Sequence, residues 1–425
     1  MQRAIYSIIF TLALPLVWIR LLWRSRKSPA YRQRMGERFG RIRVPDSFDP
    51  ERPVIWLHAV SVGESMAAAP LVSALQAEMP DLQFVVTTMT PTGAERVRQQ
   101  MGASVIHHYA PYDATWIVNR FLAAFRPQML ILMETELWPN TIHLARRRGL
   151  KVLLANGRLS EKSRRSYARI KGLTRNMLRQ VHRICVQAEE DAARFRELGA
   201  GAPLVTGSLK FAALGVDGGA DGQSFPLAAI QAWKGDRELI VAASTREGEE
   251  PAVLAAWRRC LEAFPHARLL IVPRHPERFD QVFELCAAAG FATGRRSRAE
   301  SLESATRIVV GDSMGEMMEY FACADIAFVG GSLVDTGCHN VLEPAALGLP
   351  VTIGPSRFNF AAICELLENA GALRGAADGG ELGAIWSELL ADRESRKRMG
   401  EAGKAIIAAN QQALALTLKE IRRLL

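Results

Sequence analysis

The chain has 425 residues, 49% hydrophobic and 23% charged, which excludes a disordered or fibrous protein and allows two domains with separate cores. Six cysteines (Cys185, Cys260, Cys286, Cys323, Cys338, Cys364) stand singly with no CxxC pair, which argues for reduced, buried thiols and against a disulfide framework or a zinc site. The net charge of +9 is concentrated: residues 20–43 hold nine basic residues against Glu37 alone, and residues 158–183 hold nine against Glu161 alone.

From the N-terminus, the first element is an apolar run, Ala4 to Trp23, preceded by Arg3 and followed at once by Arg24, Arg26 and Lys27. About 20 helical residues cover the ~30 Å hydrocarbon core of a bilayer. A cleaved signal peptide would place its charges ahead of a shorter run ending in small residues. Residues 1–27 are therefore expected to be a membrane anchor, with the following cations holding the rest of the protein on the cytoplasmic side. Pro15 and Arg20 leave a full span and an interfacial position both open. A basic linker over 28–50 follows. Each Lys or Arg near an anionic leaflet contributes about 1 kcal/mol, so both basic stretches point to a membrane surface or a phosphorylated lipid. Zinc-finger spacing and the aromatic signature of RNA-binding sheets are missing, so nucleic acid is not an expected partner.

Residues 51–212 alternate short apolar runs with helical patterns. Strands are expected at Val54–Leu57, Gln83–Thr87, Ser104–His107, Met129–Met133, Lys151–Ala155, Ile184–Gln187 and Pro203–Thr206. Helices such as Glu64–Met79, Asp113–Phe125 and Glu136–Arg148 fall between them. The Gly- and Asp-rich stretch Leu214–Gln223 marks a linker over 213–236. The alternation restarts in 237–425, with strands at Leu239–Ala242, Arg268–Val272, Arg307–Val310, Ile326–Val329 and Val351–Ile353. Near-continuous apolar strands separated by helices make a parallel sheet covered on both faces. The expected fold class is α/β: two Rossmann-like, doubly wound domains facing a cleft, behind an anchor helix.

Ligands of such sheets bind beyond the carboxyl ends of the strands, and polar residues collect there. His58-Ala59-Val60-Ser61-Val62-Gly63-Glu64 places Glu64 at a helix start, where the helix dipole favours an acid, so a helix-capping acid and a functional acid are both open. Met133-Glu134-Thr135-Glu136-Leu137-Trp138 gathers two carboxylates and an indole; Glu136 suits a helix cap, which leaves Glu134 as the functional candidate. Lys210 closes the last strand of the first domain. In the second domain, Pro273-Arg274-His275-Pro276 sets cations at a strand end before a helix, a ready phosphate site. Met314-Gly315-Glu316 forms a polar turn. After Gly330-Gly331-Ser332 comes Asn340-Val341-Leu342-Glu343, in which Asn340 and Glu343 suit either a capping pair or a grip on ribose hydroxyls. The GxxxxGK[ST], HExxH and GxGxxG motifs are missing. So is any DxD, which makes a metal-independent reaction without a resident cofactor the natural expectation.

The blocks HAVSVGE, METELWPN, NGRLS, GSLKF, VPRHPERF, DSMGEM and GGSLVDTGCHNVLEPAALGLPV, in this order behind a short anchor, resemble the 3-deoxy-D-manno-octulosonic acid (Kdo) transferases of lipopolysaccharide synthesis. The resemblance covers nearly the whole chain. It implies the GT-B fold, CMP-Kdo as donor, a lipid A disaccharide precursor (lipid IVA) as acceptor, and direct displacement with inversion. It also implies Glu64 as general base, and Glu134 and Lys210 as groups stabilising the transition state. Pro273, Arg274, Met314, Gly315, Glu316 and Asn340, Val341, Leu342 and Glu343 would form the CMP pocket. Another membrane-associated transferase of this fold with a different nucleotide sugar is the nearest alternative. A nucleotide-sugar epimerase and a non-enzymatic membrane scaffold stand further off.

Overall fold

Both apolar alternations fold as parallel sheets. In the computed structural model, which describes residues 2–215 and 227–425, the first sheet comprises β1 (Val54–His58), β2 (Gln83–Thr88), β3 (Ile106–Tyr109), β4 (Met129–Met133), β5 (Lys151–Gly157), β6 (Arg183–Val186) and β7 (Leu204–Val205). Its spatial order is β3-β2-β1-β4-β5-β6-β7. Every residue of β1, β2 and β4 is buried, because helices cover both faces and leave no edge for alternation. The second sheet comprises β8 (Leu239–Thr245), β9 (Arg268–Pro273), β10 (Thr293–Arg295), β11 (Ile308–Val310), β12 (Ile326–Val329), β13 (Val351–Ile353) and β14 (Leu373–Gly375). Here the order is β10-β11-β9-β8-β12-β13-β14. The edge strands β10 and β14 were not expected, since Thr-Gly-Arg and Leu-Arg-Gly carry no apolar run. In the first sheet the chain winds outward from β1, in the second it runs from β8 to the edge strand β10 with β11 inserting between β10 and β9, and in both it then crosses to the other side of the first strand. That puts a topological switch point at β1/β4 and another at β8/β12, where ligands of open α/β sheets bind.

The chain divides into two compact units, Met1–Ala213 with Asn410–Leu425, and Leu214–Ala409. Of the expected linker over 213–236, residues 216–226 lie outside the described residues, and Ala228–Lys234 is instead a helix whose Ile230 and Trp233 are buried in the second unit's core. The second-domain range of 237–425 needs correction at its end, because the last helix, Ala413–Arg422, belongs to the first unit. Ala413, Leu418 and Ile421 join the core built around Ala67, Leu71 and Leu75. Arg422 Nε donates to Glu78 Oε2 at 2.8 Å, and Arg183 Nε to Glu420 Oε2 at 2.9 Å. An amphipathic helix shows that it has an apolar face, but not which core receives it.

The N-terminal helix α1 (Gln2–Lys27) runs unbroken through Pro15, and its residues 2–26 are long and apolar enough to cross a membrane. One face packs on the first unit: Leu14 and Leu21 are buried with Tyr31, Met35, Tyr112 and Ile117. Near its start, Arg3 Nη1 and Ser7 Oγ donate to Asn140 Oδ1 at 3.0 and 2.7 Å. The opposite face, including Ile8, Ile9, Leu12, Leu16 and Ile19, is exposed. The following basic stretch is packed structure in part. Glu37 Oε2 accepts from Tyr109 N at 2.9 Å, and the fully buried Arg38 stacks 3.5 Å over the Tyr109 ring.

Candidate functional site

In the first unit, Ser61 caps the Val62–Glu78 helix. Its Oγ accepts from Glu64 N at 3.3 Å and donates to Glu64 Oε1 at 2.8 Å, while Val60 N donates to Glu64 Oε2 at 2.8 Å. This is a variant of the capping box, in which the acid three residues on reaches back to the cap's hydroxyl and to the N–H of the residue before it. Glu64 thus caps its helix, yet its electrostatics are not those of a solvated cap. The side chain is 5% exposed. Burial first, then the charges of Glu136 and Glu134, push its carboxyl up to about 8 despite the bonds from Ser61 and Val60.

Glu134 follows β4 with φ at 52°, a left-handed conformation that is costly for a residue with a side chain and is held only where the surroundings demand it. Its N–H donates to Ala155 O at 3.0 Å, which fixes the turn across β5. Lys210 Nζ stands 3.3 Å from Glu134 Oε1, as a contact of charges rather than an aligned hydrogen bond. The turn carrying Lys210 is pinned by Asn156 Oδ1, which accepts from Leu209 N at 2.9 Å. Glu136 accepts from Trp138 Nε1 at 2.8 Å, and burial, with the charge of Glu134, raises its carboxyl above the usual range. Three carboxylates and one ammonium therefore share the polar end of this sheet. Such a cluster can take up a proton and place one positive charge beside it.

In the second unit, Pro273 is buried at the end of β9, and the exposed Arg274 follows it, its N–H donating to Thr245 O at 3.0 Å. Arg246, just after β8, donates to His339 Nε2 at 3.1 Å and contacts His275 Nε2 at 2.6 Å. Burial, then the charges of Arg246 and Arg274, hold the His339 imidazole down at about 4, so it is neutral and accepts from the guanidinium. The buried Glu249 accepts four main-chain bonds, from Arg246 N and Gly331 N on Oε2 (2.8 and 2.6 Å) and from Ser332 N and Leu333 N on Oε1 (2.9 and 2.8 Å). It thereby ties the β8 turn to the β12 turn. Gly330 lets them meet: a Cβ there would lie 2.7 Å from Ser244 O.

Asn340 Oδ1 accepts from Leu342 N at 3.1 Å, and its amide donates to Glu343 Oε1 at 2.9 Å, so these two residues form a pair at the start of the Leu342–Ala346 helix. Val341 and Leu342 are fully buried, which leaves only their main chain available to a ligand. Met314 is exposed and Gly315 has φ at 84°. Glu316 accepts from Tyr320 OH at 2.9 Å, from Ser313 Oγ, and from Arg296 Nη2 at 2.8 Å. Burial pushes its carboxyl up, but these bonds and the guanidinium more than offset that and hold it below the usual range. Arg246, Glu249 and His339, whose contacts organise this end of the sheet, were not among the candidates read from the sequence. The signal that found Arg274, polar residues just past a strand, was equally present in Ser244-Thr245-Arg246. Among the described residues no cluster of three or more His, Cys, Asp or Glu is arranged to hold a metal ion.

A family model described as 3-deoxy-D-manno-octulosonic-acid transferase matches residues 33–213. The chain is 40% identical over 417 residues to a 3-deoxy-D-manno-octulosonic acid transferase of Haemophilus influenzae, covering 97% of this chain and 96% of that protein. Against the protein of the same description from Bordetella pertussis, identity is 36% over 437 residues, with 98% of each covered. The crystal structure of MurG from Acinetobacter baumannii matches with a TM-score of 0.51 at 15% identity, covering 87% of this chain and 99% of that one. That last likeness is one of fold alone.

Proposed function

The chain belongs to the 3-deoxy-D-manno-octulosonic acid transferase family, with the GT-B glycosyltransferase fold, and we propose that it moves Kdo from CMP-Kdo to a sugar hydroxyl of the lipid A disaccharide precursor at the cytoplasmic face of the inner membrane. A sugar hydroxyl is a weak nucleophile until its proton is removed as the bond forms. In this mechanism Glu64 removes it. Lone pairs remain on its oxygens after the capping bonds, and a carboxyl near 8 holds the proton far better than one at the ordinary value of about 4.3. Direct attack on the anomeric carbon then inverts its configuration.

Lys210, held beside Glu134, would answer the donor carboxylate or the charge that develops during transfer. In the second unit, Arg274 and the main-chain N–H groups at the Asn340–Glu343 turn would take the negative charge gathering on the departing CMP. Glu343 would bind ribose hydroxyls, while Pro273 and the Met314–Glu316 turn complete the nucleotide pocket. With cations and amides meeting each charge, no divalent metal is required. The observation that carries this proposal is a buried, proton-retaining Glu64 beside an acid–lysine pair at the β1/β4 switch point.

Glu64→Gln tests it, because glutamine also closes a capping box and so separates the base from the helix cap. Assayed in EDTA with CMP-Kdo and tetra-acylated precursor, the variant should keep its thermal midpoint and CMP affinity and lose about 10²–10⁴-fold in transfer. Turnover within a few-fold of the parent protein would remove Glu64 from the base role.

A further inference from the structure

The two basic stretches of the sequence, far apart along the chain, border one cavity of the first unit. It encloses about 540 Å³ between α1 and the body of that unit, within the usual range of roughly 300–1,000 Å³ for ligand sites. Phe10, Val17 and Leu21 of α1 form one wall, and Leu173 and Met177 of the Lys171–Gln180 helix form another. Arg20 and Arg24, from the first basic stretch, also line it, and Arg24 stands 4.9 Å over the Tyr31 ring. Leu173 and Met177 come from the second stretch, so cations of that helix lie close by in sequence. Leu137, Trp138 and Pro139 close a further side, and the Trp138 indole is the donor to Glu136. The cavity therefore adjoins the carboxylate cluster.

The course of α1 bears on what fills this space. Its first turns are bonded to Asn140, and its later turns pack at Leu21 beside Tyr31 and Tyr112. A helix of 26 residues spans roughly 39 Å, and here one α/β unit holds it along that length. Held this way, the helix presents the exposed Ile8, Leu12, Leu16 and Ile19 on its outer side, an apolar face suited to the headgroup–acyl boundary of a membrane.

We propose that this cavity holds an acyl chain of the phosphorylated acceptor glycolipid, with α1 in the membrane plane as its outer wall and Arg20 and Arg24 pairing with a phosphate on the sugar. Its position next to the Glu134–Glu136 turn favours the acceptor over bulk lipid, because a chain seated there leaves its sugar beside the carboxylates. The inference rests on the lipid-linked acceptor proposed above.

The test uses the full chain in phospholipid vesicles and a tetra-acylated acceptor carrying a photoreactive diazirine in one acyl chain. Mass spectrometry of the labelled peptides should find the label on Phe10, Val17, Leu173 or Met177. Phosphatidylglycerol with the same diazirine should mark the outward Leu12 and Leu16. Absence of acceptor label in the cavity, or equal cavity labelling by phosphatidylglycerol, overturns the proposal. In kinetics, Leu173→Trp should raise the acceptor KM about tenfold, equivalent to losing about two buried methylene groups, with the CMP-Kdo KM unchanged. Equal changes in both KM values would count against it. Transfer without cavity labelling sinks the acyl site alone; cavity labelling without transfer sinks the enzymatic proposal and leaves the lipid site standing.

Discussion

Glu64 caps its helix, and in the proposed mechanism it is also the proton acceptor, two roles whose balance its surroundings set. Its carboxyl near 8 means that most of it is protonated at pH 7, while a base must be deprotonated to act. The kcat/KM for transfer should therefore climb with pH through about 8 and level off above it. A profile flat from pH 6 to 9 would show that another group takes the proton. Glu64 was legible in the sequence as an acid at a helix start, and Glu134 as a polar strand-end residue. The left-handed backbone of Glu134 and its contact with Lys210 were not, since 76 positions of chain separate the pair and only the sheet order closes that gap. Val341 and Leu342 carry the same lesson in reverse: they lie inside a polar motif, yet their side chains serve the core.

Among the elements, the turn after β12 depends on a single side chain from another segment. Glu249→Gln would set an amide N–H₂ against main-chain donors that now share one carboxylate. The expected cost is on the order of 3 kcal/mol, read as a lower denaturation midpoint together with a raised KM for CMP-Kdo; an unchanged KM would mean that this turn does not shape the donor site. The Ala413–Arg422 helix makes a second case. Ile421 is fully buried in the first unit's core, so Ile421→Ala should cost about 2–5 kcal/mol. Hydrogen-exchange protection should fall in the Val62–Glu78 helix and persist in β8 and β9. Loss confined to the second unit would contradict the assignment of this helix. Strands with continuous apolar runs were readable from sequence because burial on both faces leaves that mark; the three-residue edge strands β10 and β14 left none.

For the molecule as a whole, charge and apolar surface act together at α1 and at the basic helices over 161–180. Binding to vesicles should need anionic lipid and weaken as salt rises, because each exposed cation near the leaflet adds only about 1 kcal/mol and salt screens it within ~10 Å at 0.1 M. Sedimentation with neutral and anionic vesicles at two salt concentrations measures this, and salt-independent binding would leave the apolar face of α1 as the sole anchor. By itself the sequence determined the two α/β alternations, the apolar N-terminal helix, the charge excess and the polar strand ends, since all are periodic or compositional and are written within short windows. Only the tertiary structure decided that the last sixteen residues belong to the first unit, that Arg246 and Glu249 organise the second switch point, and that α1 lies along its unit over a cavity. These depend on contacts between residues distant in the chain, and a local pattern carries no record of which distant surface will complete it.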